Sequence, residues 1–145
     1  MCIRDRIWHE HGPIDVVIHS GGITQRSLCV ETELQVYEKL MRINFFGTIA
    51  ITQALLPKMI ERGSGHIVVI SSLTGKFGTP LRSGYAASKH ALHGYTDALR
   101  AEVADNGVKV TTICPGFVRT EISRNALSGD ASAHGIMDDL SLIHI

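Results

Sequence analysis

Gly65-His-Ile-Val-Val-Ile-Ser-Ser72 is a run of apolar, mostly β-branched residues that starts at a glycine and ends in two serines. Bounded in this way by turn residues, it reads as a buried strand. Two segments of the same kind flank it. Ile14-Asp-Val-Val-Ile18 comes first and runs into Ser20-Gly21-Gly22; Val108 to Cys114 comes last and is closed by Pro115-Gly116. The stretches between them have helical spacing. From Leu34 onward Tyr37, Leu40, Met41, Phe45, Thr48, Ile51 and Leu55 recur on one stripe, with Asn44 among them. Thr32 and Gln35 form a candidate capping box at its start, and Gly63-Ser64-Gly65 is the turn after its end near Pro57 to Arg62. A second helix is predicted from near Ser83 to about Asp105, with Ala87, Ala91, Leu92, Tyr95, Leu99 and Val103 on its apolar face and Asn106-Gly107 as its stop. Strand, helix, strand, helix, strand implies a parallel sheet covered on both faces. Right-handed crossovers would make it a doubly wound α/β sheet, and no linker or repeat divides the chain.

The bulk properties agree with one globular unit. The chain has 145 residues, 44% of them hydrophobic, enough for a real core and too apolar for disorder. Its formal net charge is zero, and no basic stripe with interleaved aromatics points to nucleic acid. Continuous apolar runs such as Ile67 to Ile70 are too short to cross a bilayer, and the N-terminus carries no secretory signal. Cys2, Cys29 and Cys114 make an odd, sparse set that suits a reducing compartment, so a cytoplasmic location is expected. His90 and His93 stand three apart on the second helix, but no acidic or thiol partner lies beside them in sequence, and no metal site is expected.

Tyr85 and Lys89 stand four apart on the same predicted helix and project from one face. A free phenol titrates near pH 10 and is a poor acid or base at neutral pH; a nearby ammonium favours its ionised form. The pair suits proton transfer to or from a carbonyl or alcohol oxygen. Y-x-x-x-K alone is common by chance, as a core tyrosine with a solvated lysine. Ser72 strengthens it, because a hydroxyl at a strand end can donate to an oxygen that gains charge. Gly21-Gly22 and Pro115-Gly116 end the other two strands at the same edge, where open α/β sheets collect ligands.

With these residues in place the sequence resembles a known family. Gly65 to Ser72, Tyr85-Ala-Ala-Ser-Lys89 and Cys114-Pro-Gly-Phe-Val-Arg-Thr120 look like the classical short-chain dehydrogenases/reductases. Met41-Arg-Ile-Asn-Phe-Phe-Gly47 is similar to that family's helix with a supporting asparagine. Gly21-Gly-Ile-Thr-Gln-Arg-Ser-Leu28 and Gly75-Lys-Phe-Gly-Thr-Pro-Leu-Arg-Ser83 look closest to the subgroup named dehydrogenase/reductase member seven. The resemblance implies a Rossmann-like sheet and an NAD- or NADP-dependent oxidoreductase that interconverts an alcohol and a carbonyl, with NADP ahead of NAD. Tyr85 would be the general acid/base. Lys89 would lower its pKa and bond the nicotinamide ribose, Ser72 would polarise the substrate carbonyl, and Asn44 would hold a water in the relay to Lys89. Pro115, Gly116, Val118 and Thr120 would line the cofactor's nicotinamide end, with Val118 acting through its backbone, and Gly22 would let the backbone approach the cofactor. A small-molecule substrate and a homo-oligomer formed through the two long helices are further implications.

The sequence departs from the family in three places. His19-Ser-Gly-Gly22 stands where the family has Asn-Asn-Ala-Gly, so only Gly22 matches. No G-x-G-x-x-G occurs, nor the residue that reads the ribose 2′ position; both would precede Ile14. The final strand and the mobile substrate loop beyond Thr120 are also expected to be missing. The ends explain this. Met1-Cys-Ile-Arg-Asp-Arg6 and Leu140-Ser-Leu-Ile-His-Ile145 can be back-translated to opposite strands of one DNA segment, as a sequencing adapter read at both ends would be. Residues 7–139 are then the central part of one domain, truncated at both ends and inactive alone. In a longer parent, an N-terminal segment would allow membrane association. The competing readings are an epimerase or dehydratase of the extended relatives, and a non-catalytic cofactor-binding scaffold.

Overall fold

A computed structural model describes residues 10, 12–116, 118 and 120–135; both stretches read as adapter, and Cys2, lie outside the described residues. Three parallel strands form the sheet: β1 Val16–His19, β2 Gly65–Ile70 and β3 Val108–Ile113, in the order β1-β2-β3. Val17 faces Ile67 and Ile67 faces Val110, so the apolar residues of the three strands form one continuous row. Each crossover steps one strand in the same direction. With the usual right-handed sense, both long helices therefore lie on one face.

The first crossover holds α1 (Leu34–Leu40), a π-helical segment (Met41–Phe46) and α2 (Gly47–Arg62). The capping box does not form. Glu33 occupies the N-cap without a side-chain cap, Gln35 pairs with the Glu33 carboxylate, and Thr32 donates to the Leu28 carbonyl. The buried stripe also differs from the expected one: it runs Val36, Leu40, Asn44, Thr48, Thr52, Leu55, Met59, while Ile51 is exposed. Steps of four rather than 3.6 fit the wider π turn, in which the Gly47 amide reaches back five residues to the Arg42 carbonyl. By length and composition the stretch Leu34–Arg62 passes as a membrane-crossing helix, although no short apolar run suggested it. Here it buries Asn44, Thr48 and Thr52 against the protein.

The second crossover is α3, Ser83–Glu102. Its N-cap, Arg82, makes no side-chain capping bond; the buried Gln25 Oε1 accepts from the Tyr85 amide, at 3.2 Å. Ala87, expected on the apolar face, is exposed. Met59, Leu92, Leu99 and Val103 pack on Ile67, Val69, Val108 and Val110 to form the core, and Phe45 and Tyr95 meet edge to face between the helices. Cover on both faces was expected, but among the described residues the other face stays open: Val16, Ile18 and Ile113 on it are 48%, 60% and 44% exposed. Residues 120–135 lie in turns and isolated bridges. They turn back over the loop after β1, with Leu127 N donating to the Thr24 carbonyl and Arg26 N to the Leu127 carbonyl.

Two left-handed glycines close the opposite end of the sheet. Gly63 (φ 70°) ends α2, and Gly107 (φ 71°) leads into β3. A Cβ on Gly107 would stand 2.0 Å from the Gly63 carbonyl oxygen, so glycine is required there by contact as well as by dihedral angle.

Candidate active site

Parallel strands end together, and that alone brings Ser72, the Gly22 turn and Pro115-Gly116 to one edge. A cleft of about 470 Å³ lies there. Its lining includes Gly22, Ser72, Tyr85, Lys89, Pro115, Gly116, Val118 and Thr120, so every residue expected at the site except Asn44 borders it.

Ser72 sits in extended backbone two residues past the end of β2. Its Oγ accepts from the Thr74 amide at 3.2 Å and from the Thr74 hydroxyl at 3.0 Å, capping the short turn Leu73–Gly75. Both bonds use lone pairs, so the Ser72 proton is left to donate into the cleft. It lies near enough to the Tyr85 phenol to favour the ionised form.

Tyr85 is 6% exposed and Lys89 4%. The lysine Nζ donates to the Ile70 carbonyl at 2.9 Å and stands 5.7 Å from the centroid of the Tyr85 ring. Burial pulls its pKa down to about 8. Burial also dominates at Tyr85, and in the opposite sense: the phenol is raised above its ordinary value, against the pull of the Ser72 hydroxyl and then of the Arg82 charge. The Arg82 charge, which the motif does not include, favours the phenolate, and the Lys89 ammonium stands over the ring face. Burial at this position therefore favours the protonated phenol.

Asn44, 1% exposed, lies one layer behind the cleft, within the π segment. Its Oδ1 accepts from the Ile23 amide at 2.8 Å, and its Nδ2 donates to the Ile23 carbonyl at 2.9 Å and to Ser88 Oγ at 2.9 Å. Ser88 in turn donates to the Tyr85 carbonyl at 2.8 Å. Through these bonds the Asn44 side chain clamps the turn after β1 to α3. Gly22 belongs to the same clamp. A Cβ there would lie 3.2 Å from Asn44 Oδ1 and 3.7 Å from Lys89 Nζ, so the missing side chain lets the backbone approach both. The His19-Ser20 departure also has a structural result: His19 is buried and shares a 3.0 Å hydrogen bond with Thr52.

Sequence reasoning missed Ser88, Arg82 and His93. Ser88 stood inside the quoted motif, one turn from Tyr85, and was legible by spacing alone. His93 was expected to have no thiol partner, yet Cys114 Sγ lies 3.6 Å from its Nε2 and Ser71 Oγ lies 3.0 Å away. Those partners arrive from two strands, at separations no local pattern encodes.

A Lys89 amine and a serine hydroxyl over a cleft floored by glycine fit the ribose and ring end of a dinucleotide. The phosphate-binding turn has no counterpart among the described residues. The family model for short chain dehydrogenases matches residues 3–131. A dehydrogenase/reductase SDR family member 7B of Danio rerio is 51% identical over 132 residues, which are 91% of this chain and 43% of the relative. A family protein 7-like of Drosophila melanogaster is 46% identical over 134 residues, 92% and 41% of the two chains. The chain therefore spans less than half the length of these relatives. Among solved structures, a gluconate 5-dehydrogenase from Burkholderia cenocepacia in complex with NADP and tartrate superposes with a TM-score of 0.80 at 31% identity, over 83% of this chain and 48% of that one. ElxO with NADP bound gives 0.79 at 34%, over 82% and 48%. The fold class is accordingly the doubly wound, Rossmann-like parallel sheet of these structures, of which the described residues supply the helices of one face.

Proposed function

The chain belongs to the short-chain dehydrogenase family, and from that premise we propose that it carries the reaction centre of an NAD(P)-dependent oxidoreductase that interconverts an alcohol and a carbonyl. The observation that supports this most is the convergence of Ser72, Tyr85 and Lys89 on one cleft at the ends of the strands. In the reducing direction the substrate oxygen lies between two hydroxyl donors. Ser72, its lone pairs already engaged by Thr74, donates a hydrogen bond that stabilises the charge developing on that oxygen. Tyr85, kept protonated by burial, delivers the proton. Lys89 holds the ribose side, and Asn44 and Ser88 keep α3 and the Gly22 turn in register. A bound nicotinamide supplies or takes the hydride.

Residues 7–139 form the central part of one domain between adapter-derived ends. The cofactor is NADP ahead of NAD, as in the two NADP-bound neighbours. The substrate is a small molecule and the location cytoplasmic. The complete protein pairs with itself through the long helices, on which Ile43, Phe46 and Ile51 are exposed. With no G-x-G-x-x-G in the sequence, this chain by itself holds nicotinamide weakly and turns nothing over.

The test is turnover by the chain restored to the length of its relatives, with a panel of carbonyl compounds, followed by the absorbance of reduced nicotinamide. Carbonyl-dependent oxidation that falls about 10²–10⁴-fold in Tyr85→Phe is expected. Turnover indifferent to Tyr85→Phe, or product formed without net change in nicotinamide, overturns the reading; the second result would mark an epimerase or dehydratase.

A further inference from the structure

Three side chains on one face of α3 meet three consecutive residues at the end of β2. Tyr85 meets Ser72, Lys89 donates to the Ile70 carbonyl, and His93 Nε2 shares a 3.0 Å hydrogen bond with Ser71 Oγ. The first two pairs belong to the site described above; the third has no part in it. Both of its members are buried, Ser71 at 4% exposure and His93 at 8%. The Ser71 amide donates to the Ile113 carbonyl at 2.7 Å, so its backbone is tied to β3 while its side chain is tied to α3. The turn after Ser72 closes over this bond. A Cβ on Gly75 would lie 2.7 Å from Ser71 Oγ and 2.8 Å from His93 Nε2. Adjacent residues in extended backbone point to opposite sides. Whatever fixes Ser71 therefore fixes the direction in which Ser72 leaves the strand.

We propose that His93 is a positioning residue: by holding Ser71 it sets the orientation of the Ser72 hydroxyl toward Tyr85. The proposal rests on the reading of Ser72 and Tyr85 as the reaction centre. Its surroundings suit a fixed neutral imidazole. Burial first, then the Lys76 charge, hold His93 below the ordinary histidine range; His90 and Arg100 add to this and Asp97 opposes it. Among the described residues Cys114, just after β3, also faces it, with Sγ 3.6 Å from Nε2.

The test needs no turnover, so it separates this proposal from the assigned activity. The chain is labelled with fluorotyrosine and the Tyr85 fluorine resonance is assigned through Tyr85→Phe, with Tyr37 and Tyr95 as internal references. Ser72→Ala is expected to shift the Tyr85 resonance. His93→Ala and Ser71→Ala should shift it in the same direction by a comparable amount, and the double variant no further. His93→Gln, whose amide reaches the Nε2 position, should restore most of the original shift. If His93→Ala does not fold, Ser71→Ala, which removes a single hydroxyl, decides by the same criterion. A Tyr85 resonance that responds to Ser72→Ala and ignores Ser71→Ala and His93→Ala overturns the proposal. So does an equal movement of Tyr37 and Tyr95, which would mark general loosening. A resonance unmoved even by Ser72→Ala removes the premise with it.

Discussion

Lys89 keeps a titrating amine at 4% exposure with one carbonyl as its hydrogen-bond partner, which makes its charge expensive. Its pKa falls to about 8 on folding, so between about pH 8 and its unfolded value of 10.5 the unfolded chain binds more protons than the folded one. Stability should therefore rise with pH across that window, until the raised pKa of Tyr85 begins to act against it above pH ~10. Lys89→Met should flatten the rise. At neutral pH it should also gain about 1–2 kcal/mol, the relieved charge burial less the lost bond to Ile70, while abolishing any turnover. Urea unfolding at several pH values measures this; a flat profile in the unsubstituted chain would contradict it. At this scale the sequence disclosed identities better than interactions. Ser72, Tyr85 and Lys89 were legible because a strand end and one helical turn are local patterns. The raised phenol, the Arg82 charge and the His93 bonds were not, because burial and partners from other strands are properties of the assembled molecule.

Among the elements, the π segment carries Asn44, which ties the turn after β1 to α3. Asn44→Ala would leave the Ile23 amide and carbonyl and the Ser88 hydroxyl without their buried partner, and should cost about 3 kcal/mol by denaturant unfolding. Two glycines on α3 give an opposed pair. A Cβ on Gly94 meets nothing within 4 Å, so Gly94→Ala should stabilise by about 0.5–1 kcal/mol through helix propensity. One on Gly84 would stand 2.5 Å from Gln25 Oε1 and 2.8 Å from Leu40 Cδ1, so Gly84→Ala should destabilise by about 1–3 kcal/mol despite the same propensity gain. Thermal melts of the two variants should move in opposite directions. Element order and type were legible, since β-branched runs and 3.6-residue spacing are strong local signals. The π turn was not: Met41 to Gly47 carries no residue that demands it, and the expected stripe slipped from Thr52 to Ile51 as a result. The Thr32–Gln35 box failed for a related reason, since Ser27 and Leu28 compete for the threonine hydroxyl.

For the whole molecule, the uncovered sheet face governs behaviour in solution. Val16, Ile18 and Ile113 form an apolar surface between two strand edges without neighbours among the described residues. Ile18→Lys should lower association, seen by light scattering, and change unfolding by no more than about 0.5 kcal/mol; unchanged scattering would place the liability elsewhere. Two-sided cover was expected from continuous apolar strands, and for the described residues that inference went one face too far. An apolar run records that a strand avoids water, not which partners do the shielding. At the far end of the sheet, Gly63 and Gly107 touch through their backbones. The two turns, more than forty positions apart in the chain, consequently share one volume with no slack. An insertion or deletion in either would have to be matched in the other, so across related chains their lengths should vary in step or stay constant, although neither turn is near any chemistry.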